Sequence, residues 1–426
     1  MEVLRDLVPL DRVMCSPDYD RTIEYLKQRF PLTELAYGPG AEHNGWVIPP
    51  SWEALESRIE KDGKLVYDGK WHPVATMALS APFEGTVDLE ELKRHLHFDH
   101  RYDDAVPFHF RGLFRSWERD WGFCVPKSLY DSLQPGEYQV TIRTREEPGA
   151  LRMLEWDLPG ELDETIVFGT NLDHPGVAND GLSGVVVGLE LFTRLAKLPR
   201  RNLGYRLVLT QGIMGTEYYL GHQEPARREK LLAGVMLEMI GSPTQLALQY
   251  SRAGDSPIEL ALADELARRG VDHRTGAFEE VVLNDEYMWE AYGVPMSALT
   301  RFPYREYHTH WDDVDLMRPD LLLEAVDVLE GAIEQVEATP LIFKRFEGNV
   351  CLSNPAYDLY VDPGQVAFGD KPDPRRKKLR LLMDTIPSLT RPISVRQLAR
   401  QVDLDEETVD EYVRRWEAKG LLELRP

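Results

Sequence analysis

The sequence predicts an α/β protein: a mostly parallel sheet with helices on both faces, a small β-rich module, and a helical tail closed by a strand. Three observations predict it. From about residue 162, short apolar runs alternate with helical stretches. Between 47 and 160, strand-like segments and turns precede that alternation. After 374, three helical segments lead into the short run LLELRP, the order of a winged helix-turn-helix.

Taken in order, the first element is a helix within 12–30, where Asp20 to Phe30 carries apolar residues at helical spacing. VIPPSW, KLVYDGKWHPV and ATMALSAPF then read as strands and turns, and DLEELKRHL reads as a short helix capped by Asp88. WGFCVPKSLYDSL and EYQVTIRT read as strand-like again. ETIVFGT begins the alternation, followed by a Gly/Asp loop, the helix GLSGVVVGLELFTRLAKL and the strand GYRLVLT. A helix around 214–231, the strand LLAGVMLEMIG, the helix PIELALADELARRG, the strand VPMSALTR and a long helix over 319–338 complete it. The implied domains are an α/β core from 1–46 and 161–345, an inserted module at 47–160, a Pro- and Asn-containing connector at 346–374, and the tail at 375–426. Ligands in such sheets bind beyond the carboxyl ends of the strands, which directs attention to the loops after 169, 210, 239 and 300.

A chain of 426 residues exceeds one ordinary core, and 43% hydrophobic with 28% charged residues is a globular composition. No apolar run reaches the roughly 18 residues of a membrane span, and MEVLRDLVPLDR is charged where a signal peptide is apolar. The three cysteines, Cys15, Cys124 and Cys351, are odd in number and widely spaced, which fits a reducing cytoplasm rather than a disulfide framework. A net charge of −23 repels nucleic acid and anionic membrane.

Three segments carry candidate chemistry. TNLDHPGVANDGLSG places His174 and Asp180 in one loop between a strand and a helix, either as metal ligands or as residues that turn the loop and cap the helix. Glu238 ends a strand among apolar neighbours, where a carboxylate is paired, ligating or turned outward. RFPYREYHTHWDDVDLM holds Tyr304, Tyr307, His308, His310, Asp312 and Asp313, in either a ligand loop or a solvated turn. Each segment follows an expected parallel strand, so the three converge at one sheet edge.

These segments resemble the co-catalytic zinc aminopeptidases, whose Gly-Ala-Asn-Asp-Asn-x-Ser-Gly loop VANDGLSG matches. The resemblance is nearer still to a bacterial subfamily of aminopeptidase-like proteins along nearly the whole chain. Its motifs appear here as VIPPSW at 47–52, WGFC at 121–124, DHPGVANDG at 173–181 and Glu306 to Thr309. It implies a phosphorylase/hydrolase-like fold with zinc, one or two ions, held by His174, Asp180, Glu238 and His308. The first of these ligands falls on either Asn171 or His174. The relatives' Pro-Glu-Thr-Ile-Gly-Ser is here Thr210-Gln211-Gly212-Ile213-Met214-Gly215-Thr216, so the proton-accepting carboxylate is replaced by Gly212 with Gln211 beside it. Gln211 and Tyr307 remain as catalytic candidates, and Arg252 as the substrate-binding one.

Three functions follow as expectations. The first is a metal-dependent hydrolase that cleaves an amide bond in a small peptide or modified amino acid. The second is a degenerate relative that binds a ligand or runs a different reaction in a specialised biosynthetic pathway. The third, DNA binding through the tail, is opposed by the acidic character of 405–420, which instead favours a protein contact, including a homo-oligomer.

Overall fold

The computed structural model describes residues 1–362 and 373–425. The chain opens with helices α1 (Glu2–Leu7) and α2 (Pro17–Lys27), the latter capped by Ser16, followed by strand β1 (Thr33–Tyr37). A small antiparallel sheet comes next, built from β2 (Ser51–Lys61), β3 (Lys64–Asp68), β4 (Phe83–Asp88) and, after a gap, β7 (Glu137–Glu147), in the order β3-β2-β7-β4. Within it lie α3 (Leu89–Arg94), the short parallel pair β5 (Leu96–His97) and β6 (Phe123–Cys124), and α4 (Lys127–Ser132). Asp88 caps α3 as the sequence implies. Residues 127–132 are helical rather than strand-like, because Pro126 offers no N–H to a ladder and the chain turns there.

The core follows: β8 (Leu151–Leu158), β9 (Thr165–Asn171), α5 (Leu182–Leu195), β10 (Gly204–Thr210), α6 (Gly212–Gly221), α7 (Pro225–Glu229), β11 (Leu231–Leu237), β12 (Leu246–Gln249), α8 (Pro257–Arg269), β13 (His273–Gly276), α9 (Glu286–Ala291), β14 (Met296–Thr300) and α10 (Pro319–Glu337). The helix expected around 214–231 is two, α6 and α7, because Pro225 at the start of α7 interrupts the hydrogen-bond ladder. The eight-stranded sheet has the order β1-β8-β10-β9-β11-β14-β12-β13. Its centre, β10-β9-β11-β14, is parallel, while β1, β8 and the β12–β14 pair are antiparallel. The sheet is therefore mixed, with four of its seven neighbouring pairs parallel, β12–β13 among them. Strand β8 pairs with β10 and β1, so residues 151–158 belong to the large sheet and not to the module expected over 47–160.

Every residue of β9, β10, β11 and β14 is buried, as expected for strands covered on both faces. On one face pack α1, α2, α5, α8 and α10. On the other lie α6, α9 and side chains of the small module, among them Trp52 and Phe108. Helix α5 approaches the sheet closely at Gly184, where a Cβ would stand 1.7 Å from the Leu237 carbonyl oxygen, so only glycine fits.

At the carboxyl end of the chain, β15 (Leu341–Lys344) pairs with β16 (Ile393–Ser394) and β17 (Leu422–Arg425), beside α11 (Pro374–Thr385), α12 (Val395–Val402) and α13 (Glu406–Glu417). Strand β15 thus joins the tail rather than the core expected to reach 345. Part of the connector expected at 346–374, residues 363–372, lies outside the described residues. Among the described residues no helix is long and apolar enough to cross a membrane. Cys15 and Cys124 are buried, Cys351 is exposed, and all three are free.

Candidate metal centre

Strand β9 lies between β10 and β11, where the strand order reverses, and its carboxyl end opens into the loop 172–181. A crevice forms at such a point. The loop is fixed from two sides. Arg12 is fully buried and donates to the carbonyls of Leu7, Leu172 (3.3 Å), His174 (2.7 Å) and Val177 (3.0 Å). Asp312 is also buried and accepts the main-chain N–H groups of Ala178 (3.3 Å), Asn179 (2.6 Å) and Asp180 (3.0 Å), with Tyr304 donating its hydroxyl at 2.6 Å. Arg12 escapes sequence reasoning because it lies about 160 residues from what it holds. Asp312 is visible in the sequence as part of the acidic loop, but its part as an anchor is not.

The loops bring His174, Asp180 and His308 together: one ligand atom from each lies within 4.8 Å of the others. His308 Nε2 stands 2.9 Å and His174 Nε2 3.6 Å from Asp180 Oδ2. That oxygen is buried, yet neither approach has hydrogen-bond geometry. An orphaned buried carboxylate oxygen faced by two imidazoles suits a divalent cation with an open position, and two His with one carboxylate is a donor set zinc accepts. Burial alone would raise the Asp180 carboxyl, but the neighbouring His174 and His308 hold it below its ordinary value. Burial pulls His174 down, and Asp180 and Asp173 more than reverse this.

Backbone conformation marks the same place. His174 has φ of 88° and His308 of 55°, while Met239, next to Glu238, has 53°. Non-glycine residues in the left-handed region cost about 1–3 kcal/mol each and collect at functional sites.

The other expected residues are distributed around this trio. Glu238 is buried at the end of β11 but outside the converging group; its Oε1 accepts from Asn171 Nδ2 at 2.8 Å and its Oε2 from Asn284 Nδ2. Asn171, the other candidate for the first ligand position, is thus a partner of Glu238, and it is His174 that faces Asp180. Tyr307 stacks on His308, ring centres 3.9 Å apart, and its hydroxyl is pushed well up by burial and by Asp180 and Glu238.

Gln211 does not reach into the site as a catalytic group. It is fully buried, accepts from Cys15 N at 2.9 Å and donates to the Arg152 carbonyl at 2.8 Å, so it ties the first loop to β8. Gly212 has φ of 50° and lies beside Asp173. Glu217 meets His43 at 2.9 Å and Tyr292 at 2.8 Å, away from the trio. Arg252 is exposed, lies 4.3 Å over the Phe278 ring and 3.5 Å from Glu279, and lines an open cavity of about 550 Å³ with Ile213, Leu283 and Tyr287.

The small module forms part of the site wall. Val106 to Phe108 pairs with 308–310 through Phe108 N to the His308 carbonyl (2.8 Å) and His310 N to the Val106 carbonyl (3.0 Å). Phe108 lies edge-on to both His174 and His308 at 5.7 Å, and Phe110, 42% exposed, to His308 at 5.1 Å. His310 faces the module, its Nδ1 accepting from Val106 N at 3.0 Å, so the two imidazoles of His308-Thr309-His310 diverge.

Comparison with known proteins sets this geometry in context. A family model described as a domain of unknown function, DUF4910, matches residues 1–339. A curated Clostridium acetobutylicum protein, named for polysaccharide biosynthesis and an aminopeptidase-like domain, is 25% identical over 340 residues, covering 79% of this chain and 77% of its own. A solved structure from Clostridium acetobutylicum, described as a peptidase, superposes with a TM-score of 0.75 at 21% identity, over 100% of this chain and 95% of that one. The zinc aminopeptidase BSAP from Bacillus subtilis superposes with a TM-score of 0.58 at 12% identity, over 78% and 94%.

Proposed function

This chain belongs to the DUF4910 family and is a divergent aminopeptidase-like protein, and from that premise we propose that it is a metal-dependent hydrolase of amide or peptide bonds. The observation that carries the reading is the convergence of His174, Asp180 and His308 on one point, with Asp180 Oδ2 left without a hydrogen bond. Zinc held there would polarise a carbonyl oxygen and lower the pKa of a bound water.

The chain's own residues supply the rest. Tyr307 keeps its proton, since burial and the charges of Asp180 and Glu238 oppose its ionisation, so its hydroxyl serves as a hydrogen-bond donor to a developing oxyanion. Phe108 and Phe110 shield the imidazoles and give the substrate an apolar wall. Arg252, at the rim of its cavity, is the candidate for a substrate carboxylate. We assign a small peptide or modified amino acid as substrate. Residues 51–147 are read as a module inserted into the core, and the tail from 374 as a winged-helix unit for protein contact, since its last helix, α13, opens with Glu406 and Glu407.

Elemental analysis of the purified full chain tests the reading, with Asp180→Ala and His308→Ala beside it. Bound zinc that both variants lose, with release of free amine from a set of short peptides and acylated amino acids, is the expected result. Bound zinc with no hydrolysis would favour the ligand-binding reading, which the absence of a carboxylate at Gly212 supports. Refusal of zinc at micromolar concentration would overturn the metal centre.

A further inference from the structure

This inference rests on the metal reading above and concerns the number of ions. The sequence marks Glu238 as a further ligand, but its two carboxylate oxygens are already engaged, Oε1 by Asn171 Nδ2 at 2.8 Å and Oε2 by Asn284 Nδ2. Asn171 turns its amide nitrogen to Glu238 and its amide oxygen to Thr210. Thr210 Oγ1 donates to Asn171 Oδ1 at 3.1 Å and lies 3.1 Å from Thr216 Oγ1, which in turn donates to Asp285 Oδ2. Asn171, Thr210, Thr216 and Asp285 are all buried. The amide nitrogen, a donor with no lone pair to offer a metal, is therefore what faces Glu238.

A pair of ions roughly 3.5–4 Å apart requires carboxylates that bridge them and flank them. Here Gly212 contributes none, and Glu238 would have to abandon two amide partners in a buried setting. We infer that the centre binds one divalent cation per chain, and that Asn171 and Asn284 form an amide clamp that holds Glu238 outside its coordination sphere. The clamp satisfies a buried carboxylate with neutral donors where a second cation would otherwise sit.

The test is zinc stoichiometry, measured by calorimetry and elemental analysis on full-length protein stripped with chelator. The wild type is expected to take one equivalent. Glu238→Gln is expected to keep that equivalent, with an affinity loss no larger than about 10–100-fold, the effect of a group outside the coordination sphere. Asn171→His removes one arm of the clamp and adds an imidazole beside Glu238 Oε1, and a second equivalent is expected to bind. Two equivalents in the wild type would overturn the clamp while leaving the metal reading intact, as would a Glu238→Gln protein that folds but takes none. No zinc in the wild type would overturn the metal reading and the clamp with it. The wild-type stoichiometry tests the ion count without either variant, and Glu238→Gln tests whether Glu238 stands outside the coordination sphere.

Discussion

Asp312 accepts the main-chain N–H of Asp180 at 3.0 Å and that of Asn179 at 2.6 Å, so a residue four positions past His308 fixes the loop that carries the opposing carboxylate. The loops that carry Asp180 and His308 are thereby one unit. Asp312→Ala would leave the buried N–H groups of Asn179 and Asp180 unpaired, a loss of roughly 1–3 kcal/mol for each, while Ala178 N keeps the main-chain carbonyl of residue 312. It is expected to lower stability in urea by about 2 kcal/mol or more, and to weaken zinc by about 10–100-fold although Asp312 touches no metal. Parallel urea and zinc titrations check both. Unchanged zinc affinity in a destabilised protein would show that the loops hold their geometry independently.

The sequence resemblance sets Gly212 against the family's proton acceptor, and its backbone conformation favours glycine. Its φ is 50°, and a Cβ would stand 3.5 Å from Asp173 Oδ2. Gly212→Glu is therefore expected to destabilise by about 1–3 kcal/mol and not to restore a working base, because the new side chain is strained and its charge faces another buried carboxylate. Urea unfolding with a hydrolysis assay decides. A stable, more active Gly212→Glu protein would mean that the loop adapts.

How much of this was legible in the sequence depends on range. The central strands were legible because their apolar runs are uninterrupted, and His174, Asp180 and His308 because each follows such a run. The pairing of β8 with β10 was not, since a strand at 151–158 looks the same whichever sheet it joins. The part played by Arg12 was equally hidden: nothing near residue 12 signals carbonyls at 172–177. Glu238 stands out in the sequence as an unusual buried carboxylate, but that its partners are two amides follows only from the approach of β9 and the 284 loop to the end of β11.

Gln211 separates scaffold from chemistry. Both ends of its amide are bound to main chain, Cys15 N and the Arg152 carbonyl. Gln211→Ala strands both partners in a buried setting, and a stability loss of about 2–4 kcal/mol is expected from the unpaired groups and the cavity. Zinc stoichiometry should stay at the wild-type value. A variant of unaltered stability that loses activity would instead return Gln211 to the catalytic list.

The buried acids set a pH dependence whose direction can be worked out. Burial pushes Asp285 and Asp312 up to about 7 each and Glu286 up to about 8. In the unfolded chain such groups titrate near 4, so over the interval between, the folded state holds protons that the unfolded state has released. Stability then falls as pH rises, until the folded values are passed. His72 and His97, which burial lowers to about 4, act in the opposite sense, but only below the ordinary histidine value of about 6.5. From pH 6.5 to 8 the carboxyls prevail, each adding a slope of up to about 1.4 kcal/mol per pH unit while it titrates. The metal-free protein is expected to lose Tm steadily across that interval, and Glu286→Gln to lose less, because the amide has no proton to give up. A Tm that is flat or rises from pH 6.5 to 8 would show that these carboxyls are already ionised in the folded chain.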